Sequence, residues 1–211
     1  MELLDCHSHR PEALRAVIAV SPRQAIEGVT IDGTSRLAAG LHPWWLGDNN
    51  AREEALLERA AALPTVVAIG ETGLDTLRGP AMEAQLAALR RHIAVAEATG
   101  KPLIVHCVRA SGPLIKLWHE TAPHRVRALV HGFRGNVNVA RALLEAGFYL
   151  SFGHRFNADA LRFTPPERML AETDDAPLPI TDVINTMAAT LGIDTTALTE
   201  RLQANLSTFL S

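Results

Sequence analysis

AMEAQLAALRRHIAVAEATGKPLIVHC, running from Ala81 to Cys107, is the stretch whose reading decides the fold. Leu86, Leu89 and Ile93 recur at spacings of three and four, the period of one helical face, and Gly100 stands where a helix-ending glycine belongs. Pro102 then opens PLIVHC, apolar until His106, which reads as a strand buried on both faces. A helix feeding a buried strand is one half of a repeating β/α unit.

The unit recurs on both sides of that stretch. Ala51 to Leu63 is rich in helix formers with a charged face, and Pro64 stops it before the strand-like run from Thr65 to Glu71. Ser111 and Pro113 open a helix through Trp118 that precedes a strand over Arg125 to Gly132. Asn136 caps a helix ending at Gly147, and the run Phe148 to Gly153 follows it. Further strands are expected at Leu3 to His9, Arg15 to Ser21, Arg36 to His42 and Glu167 to Asp174. Two helices close the chain, one from near Thr181 and one from about Thr195 that carries Leu198, Leu202 and Leu206. Eight strands alternating with helices predict an α/β fold of the TIM-type (β/α)8 barrel, a single domain over residues 1–211. At 211 residues the barrel is expected to be compact, with trimmed loops and some helices missing from its first half. An open doubly wound sheet is the alternative.

Composition narrows the function classes. With 47% hydrophobic residues the chain can bury a substantial core, and no apolar run approaches the roughly 18 residues of a membrane span. Neither a signal-peptide pattern nor a disulfide framework is present, the only cysteines being Cys6 and Cys107, so a cytoplasmic, non-membrane protein is expected, as a monomer or weak oligomer. Twenty basic against 23 acidic residues leave no global electrostatic footprint for a dedicated DNA-binding module.

The chemistry-bearing residues fall at strand ends. His7 and His9 share one face of the first strand and close it, Glu71 ends the fourth, His106 the fifth, His131 the sixth and Asp174 the eighth. In a β/α barrel those ends converge on the face where catalytic sites are built. Imidazole and carboxylate donors without thiolates suit a borderline divalent cation such as zinc, manganese, cobalt or iron, in an open rather than a closed structural site. Alternation turns Cys6 and Cys107 away from the face that carries His7 and His106, as core thiols. Four histidines and two carboxylates exceed the needs of one tetrahedral ion. Two ions about 3.5 to 4 Å apart, bridged by Glu71, would use them all, and one ion with supporting residues is the alternative.

DCHSH, GLHPWW, IGETGLD, PLIVHCVRA, HGFRGN and ERMLAETDDAP together resemble, in order and approximate spacing, the TatD family of metal-dependent hydrolases in the amidohydrolase-like superfamily. The resemblance extends to the closing ANLSTFL, with Asn205 and Phe209. It implies that His7, His9, Glu71, His106, His131 and Asp174 are ligands of two divalent ions (magnesium, manganese or zinc), with Glu71 as the bridge. It also implies a deoxyribonuclease activity of the 3′-5′ exonuclease type, with single-stranded DNA or 3′ ends as substrate.

The implied mechanism is phosphodiester hydrolysis by a metal-activated water, with Asp174 as general base and later proton donor, and Glu71 and Asp174 as the catalytic pair. His42 either donates to a substrate phosphate or is a capped structural histidine. Arg109 and Arg134, with Arg155, follow strands five to seven and are placed to pair with phosphate. Asp75 is expected to orient ligands, and Glu172 to lie deeper and be hydrogen-bonded. Trp44 and Trp45 either stack on a base or cover the barrel mouth.

The departures concern substrate. Trp44 stands where the family usually has a second histidine, and Gly132 where it has a cysteine. The segments after Asp174 and between His9 and His42 are shortened. An amide or ester hydrolase on the same metals, such as an aminoacyl-tRNA deacylase, is therefore the competing reading, and a non-catalytic metal-binding protein the third.

Overall fold

The computed structural model describes residues 2–47, 50–121 and 123–211. Its strands are β1 (Asp5–Ser8), β2 (Ala16–Val20), β3 (Arg36–Ala39), β4 (Val66–Asp75), β5 (Leu103–Val108), β6 (Ala128–Val130), β7 (Tyr149–Phe152) and β8 (Met169–Ala171). The helices are α1 (Pro22–Glu27), α2 (Asn50–Ala61), α3 (Met82–Thr99), α4 (Ser111–Thr121), α5 (Val137–Glu145), α6 (Ala158–Phe163), α7 (Ile180–Leu191) and α8 (Thr195–Leu210). The strands form one eight-stranded sheet in the order β1 to β8. Ser8 forms a parallel bridge with Asp174, beyond β8. Sequential parallel order with a return to the first strand is the connectivity of the (β/α)8 barrel. The expected trimming is visible between β1 and β2, which no helix joins, and in the six-residue helices α1 and α6.

The chain forms two compact units. The first comprises Met1–Ile18, Ile31–Arg36 and Val130–Ser211, and the second Ala19–Thr30 and Leu37–Leu129. In the first unit Ile18, Phe148, Phe152 and Phe209 are fully buried. The α8 face carrying Leu198, Leu202 and Leu206 is buried as its spacing predicts. Asn205 on that face donates to the carbonyls of Pro166 and Met169, at 2.6 and 2.9 Å, which fixes α8 to the start of β8.

In the second unit Leu57, Ile69, Leu74, Leu89, Leu103, Ile104, Leu114 and Leu117 make the core. Burial of each such side chain stabilises by about 1.5–3 kcal/mol. The inward stripe of α3 differs from the expectation in one residue. Leu89 and Ile93 are buried, whereas Leu86 is half-buried and the stripe continues through Gln85, Ala88, His92 and Ala96. Two polar residues sit on this face because each finds backbone partners. Gln85 accepts from the Asp75 N–H at 2.7 Å and donates to the carbonyls of Asp75 and Pro80, at 3.0 and 2.8 Å. His92 accepts the Leu41 N–H at Nε2, at 3.0 Å, and its Nδ1 lies 2.7 Å from the Ala88 carbonyl.

Every strand differs from its expected limits by at least one residue, and the differences in β4 and β8 bear on the site. β4 continues four residues past Glu71 to Asp75, so Glu71 lies inside the strand rather than at its end. The reason is a register shift against β5 between Ile69 and Thr72, where glycines at 70 and 73 take positive φ values. Such an irregularity bends a strand and re-aims its side chains. β8 begins only at Met169, because Pro166–Arg168 form a 3-10 turn ahead of it.

Candidate metal centre

In the first unit, pairing between the end of β1 and the segment after β8 sets the side chains. The Asp174 N–H donates to the His7 carbonyl and the His9 N–H to the Asp174 carbonyl, each at 3.0 Å. The Asp174 carboxylate Oδ1 thereby lies 3.6 Å from His9 Nε2 and 3.9 Å from His7 Nε2. Asp174 adopts φ 55°, a left-handed conformation that aspartate tolerates better than most residues. His131, immediately after β6, brings its ring centroid to 4.2 Å from that of His7. One donor atom each from His7, His131 and Asp174 falls within a 4.8 Å span.

Below these residues is a buried polar layer. Ser151 donates to Glu172, and Glu172 Oε1 lies 3.4 Å from His131 Nδ1. Burial raises the Glu172 carboxyl, but the charge and hydrogen bond of His131, the charge of His7 and the Ser151 bond outweigh it and leave it below its ordinary range. Nδ1 of His131 faces Glu172, so Nε2 is the nitrogen that would ligate a metal ion once the ring is neutral. Asp5 accepts the Thr173 hydroxyl at 2.6 Å and the Thr173 N–H at 3.1 Å. Burial pushes its carboxyl up to about 7 against those bonds. Cys6 is fully buried and burial pushes its thiol up, as expected of a core cysteine, while Cys107 is half-buried.

In the second unit the centre of the arrangement is Glu71. Its Oε1 lies 2.9 Å from His106 Nδ1 and 3.0 Å from His42 Nε2. These three buried residues form a second group whose donor atoms fall within 4.8 Å of one another. His42 accepts the Trp44 N–H at Nδ1, at 3.1 Å, so its proton is on Nε2 and is donated to Glu71. His106 Nε2 lies 3.2 Å from Asp75 Oδ2, which also accepts the Trp44 indole N–H at 2.6 Å. The other oxygen of Asp75 accepts the N–H groups of Leu77 and Arg78, at 2.7 and 3.2 Å. Burial raises the Asp75 carboxyl, and the Trp44, Leu77 and His106 bonds more than reverse it, holding the group below its ordinary range.

His106 tests whether a cation fits. Each of its ring nitrogens faces a carboxylate oxygen, yet a neutral imidazole donates from only one. Two donors are needed to satisfy both contacts, and a cation held by Glu71 and His106 Nδ1 would stand in for one of them. With Asp75 facing Nε2, Nδ1 is the nitrogen that would face a metal ion beside Glu71. The donors are nitrogen and oxygen only, so the set fits a divalent ion. Gly73 permits this approach of β4 to β5. Its φ is +146°, and a Cβ there would collide with the His106 backbone.

His7, His9, His131 and Asp174 come together in the first unit, and Glu71 and His106 in the second. His42 joins the Glu71 group with both nitrogens engaged, one by the Trp44 N–H and one by Glu71. Arg109, Arg134 and Arg155 are exposed after β5, β6 and β7. Sequence reading missed the Trp44–Asp75 bond and the support of Asp75 by Gln85. The only trace of the latter is a glutamine on the apolar face of α3.

A family model described as TatD related DNase matches residues 24–211. An uncharacterized metal-dependent hydrolase, YcfH, of Escherichia coli K12 is 35% identical over 153 residues, covering 67% of this chain and 57% of that protein. A 3′-5′ ssDNA/RNA exonuclease TatD of Edwardsiella piscicida is 34% identical over 146 residues, covering 64% of this chain and 56% of that protein. The chain spans under two thirds of the length of the curated relatives it matches. The solved structure of YJJV, a TatD homolog from Escherichia coli K12, superposes with a TM-score of 0.83 at 19% identity, over 98% of this chain and 97% of that one, and shares the barrel fold. The sequence match covers most of the chain and agrees with the fold and with the nitrogen and oxygen donor groups. The chain belongs to the TatD family of metal-dependent hydrolases.

Proposed function

We propose that residues 1–211 act as one hydrolase domain that cleaves phosphodiester bonds of single-stranded nucleic acid from the 3′ end, DNA being the expected substrate. The ligand set in this reading is His7, His9, Glu71, His106, His131 and Asp174, holding two divalent ions. Magnesium, manganese and zinc all accept donors from this set. The observation that carries the reading is the presence, in each unit, of a largely buried donor group built only from imidazole and carboxylate. The name of the Edwardsiella piscicida relative supports the nucleic-acid substrate.

Bound divalent ions supply polarisation of the phosphoryl oxygen and acidification of water toward neutrality. The chain's own residues do the rest. The Asp174 carboxylate takes the proton from the attacking water and returns it to the leaving oxygen. Glu172 and Asp75 hold His131 and His106 in their ligating tautomers. Arg109 and Arg134 offer planar, bidentate pairing to the phosphates of the strand.

The test is to strip the protein with a chelator and reload it with magnesium, manganese or zinc. Each form is assayed on an oligonucleotide, an aryl ester and an amide. Release of nucleotides by a reloaded form is the expected result. Turnover confined to the ester or amide would overturn the substrate assignment and leave the family's hydrolase chemistry in place.

A further inference from the structure

We propose that the exposed indole of Trp45 is a stacking platform for a nucleobase of the single-stranded substrate, with Arg78, stacked on the adjacent Trp44, as a phosphate partner; this rests on the reading under Proposed function. Pro43–Trp45 form a single 3-10 turn after β3, and every neighbour of Trp45 in it is committed to the fold. Pro43 is buried, and Leu46 packs with Leu41 and Ala88. Trp44 is held by its indole bond to Asp75 and by the Arg78 guanidinium, 4.4 Å from its ring centroid. Trp45 is 66% exposed.

Its position makes the exposure informative. The Trp45 ring centroid lies 5.2 Å from that of His42, tilted by 44°, and His42 is bonded directly to Glu71. The platform is therefore one side chain away from the metal-ligating group. Among the described residues six large hydrophobic side chains are exposed, and Trp44, Trp45 and Leu77 account for half of them. The two segments carrying them are locked together. Gly79, at φ +88°, sits so close to Pro43 that a Cβ would lie 2.6 Å from the Pro43 carbonyl oxygen.

A flat ring with an adjacent anion matches this rim. The indole offers a rigid face with little conformational entropy to lose, and every base has a π-face to set against it. Arg78, stacked on Trp44, retains guanidinium donors for a phosphate, and Arg109 is exposed after β5 on the strand paired with Asp75. An apolar peptide would use the indole but leave the guanidinium without a partner, so the base of a nucleotide is the better occupant.

The experiment compares wild type, Trp45→Phe and Trp45→Ala, all checked for fold by circular dichroism. Substrates are a 5′-fluorescein oligonucleotide with ordinary 3′-terminal nucleotides and one whose terminal residues are abasic. KM and kcat are measured with manganese, and binding is measured separately by fluorescence anisotropy. Loss of one stack corresponds to roughly a 10-fold change or more. Trp45→Ala is expected to raise KM and Kd by about that factor on the ordinary strand, with Trp45→Phe intermediate and the effect absent on the abasic strand. Cleavage with equal penalties on both strands, or with none, overturns the platform and leaves the nuclease reading intact. Base-dependent binding without cleavage supports the platform and overturns the nuclease. A wild type that neither binds nor cleaves either strand overturns both.

Discussion

His42 Nε2 lies 3.0 Å from Glu71 Oε1, while His42 Nδ1 is occupied by the N–H of Trp44. The histidine is therefore held from both sides, and it orients the carboxylate that also faces His106. Removing such a partner lowers metal affinity by about 10- to 100-fold. His42→Ala is expected to weaken manganese binding by that factor in a calorimetric titration, and His42→Gln to recover part of it. Unchanged affinity in both variants would remove His42 from the support of the metal group.

His92 carries a stability prediction with a definite sign. It is fully buried on α3, and burial lowers its pKa from 6.5 to about 4. The folded chain thus holds His92 neutral where the unfolded chain takes up a proton. Its contribution is complete above pH 6.5 and is lost as pH falls through that value toward 4. The loss is on the order of 3 kcal/mol. Urea unfolding of wild type and His92→Leu at pH 7 and pH 4.5 checks this. At pH 7 the variant should be less stable by about 1–3 kcal/mol, because the Leu41 N–H loses its acceptor. The gap should narrow in acid. A gap independent of pH would contradict the neutral buried state.

Gly79→Ala tests the lock between the two rim segments. The added methyl meets the Pro43 carbonyl oxygen and must accept φ +88°. Each of these is costly for a residue with a Cβ, and a loss of about 1–3 kcal/mol is expected in urea unfolding. The same variant should loosen the Trp44–Asp75 bond and weaken manganese binding. Stability within about 0.5 kcal/mol of wild type would show that the contact is not needed.

The alternation of helix and strand was legible because apolar period and punctuation agreed. Asn136 does cap α5, accepting the Val139 N–H, and Leu198, Leu202 and Leu206 do face inward. Metal-type residues could be recognised from their chemical type and their place near strand ends. The apolar run stops at Glu71 and so points to a strand end there, whereas the glycines around it bend β4 and let pairing continue to Asp75. His92 carries no local signal of its role, since its partner Leu41 is 51 residues away. The Trp44–Asp75 bond, 31 residues apart, was hidden for the same reason. A hydrogen bond between distant segments leaves no local period in the chain.

The most direct test of the central claim is metal-dependent degradation of a 5′-labelled single-stranded oligonucleotide by wild type and Glu71→Ala, with bound metal counted in both. Laddering from the 3′ end by the manganese-loaded wild type, lost together with bound metal in Glu71→Ala, is the predicted result. Laddering that persists in Glu71→Ala, or a fully loaded wild type that leaves the strand intact, would contradict the account.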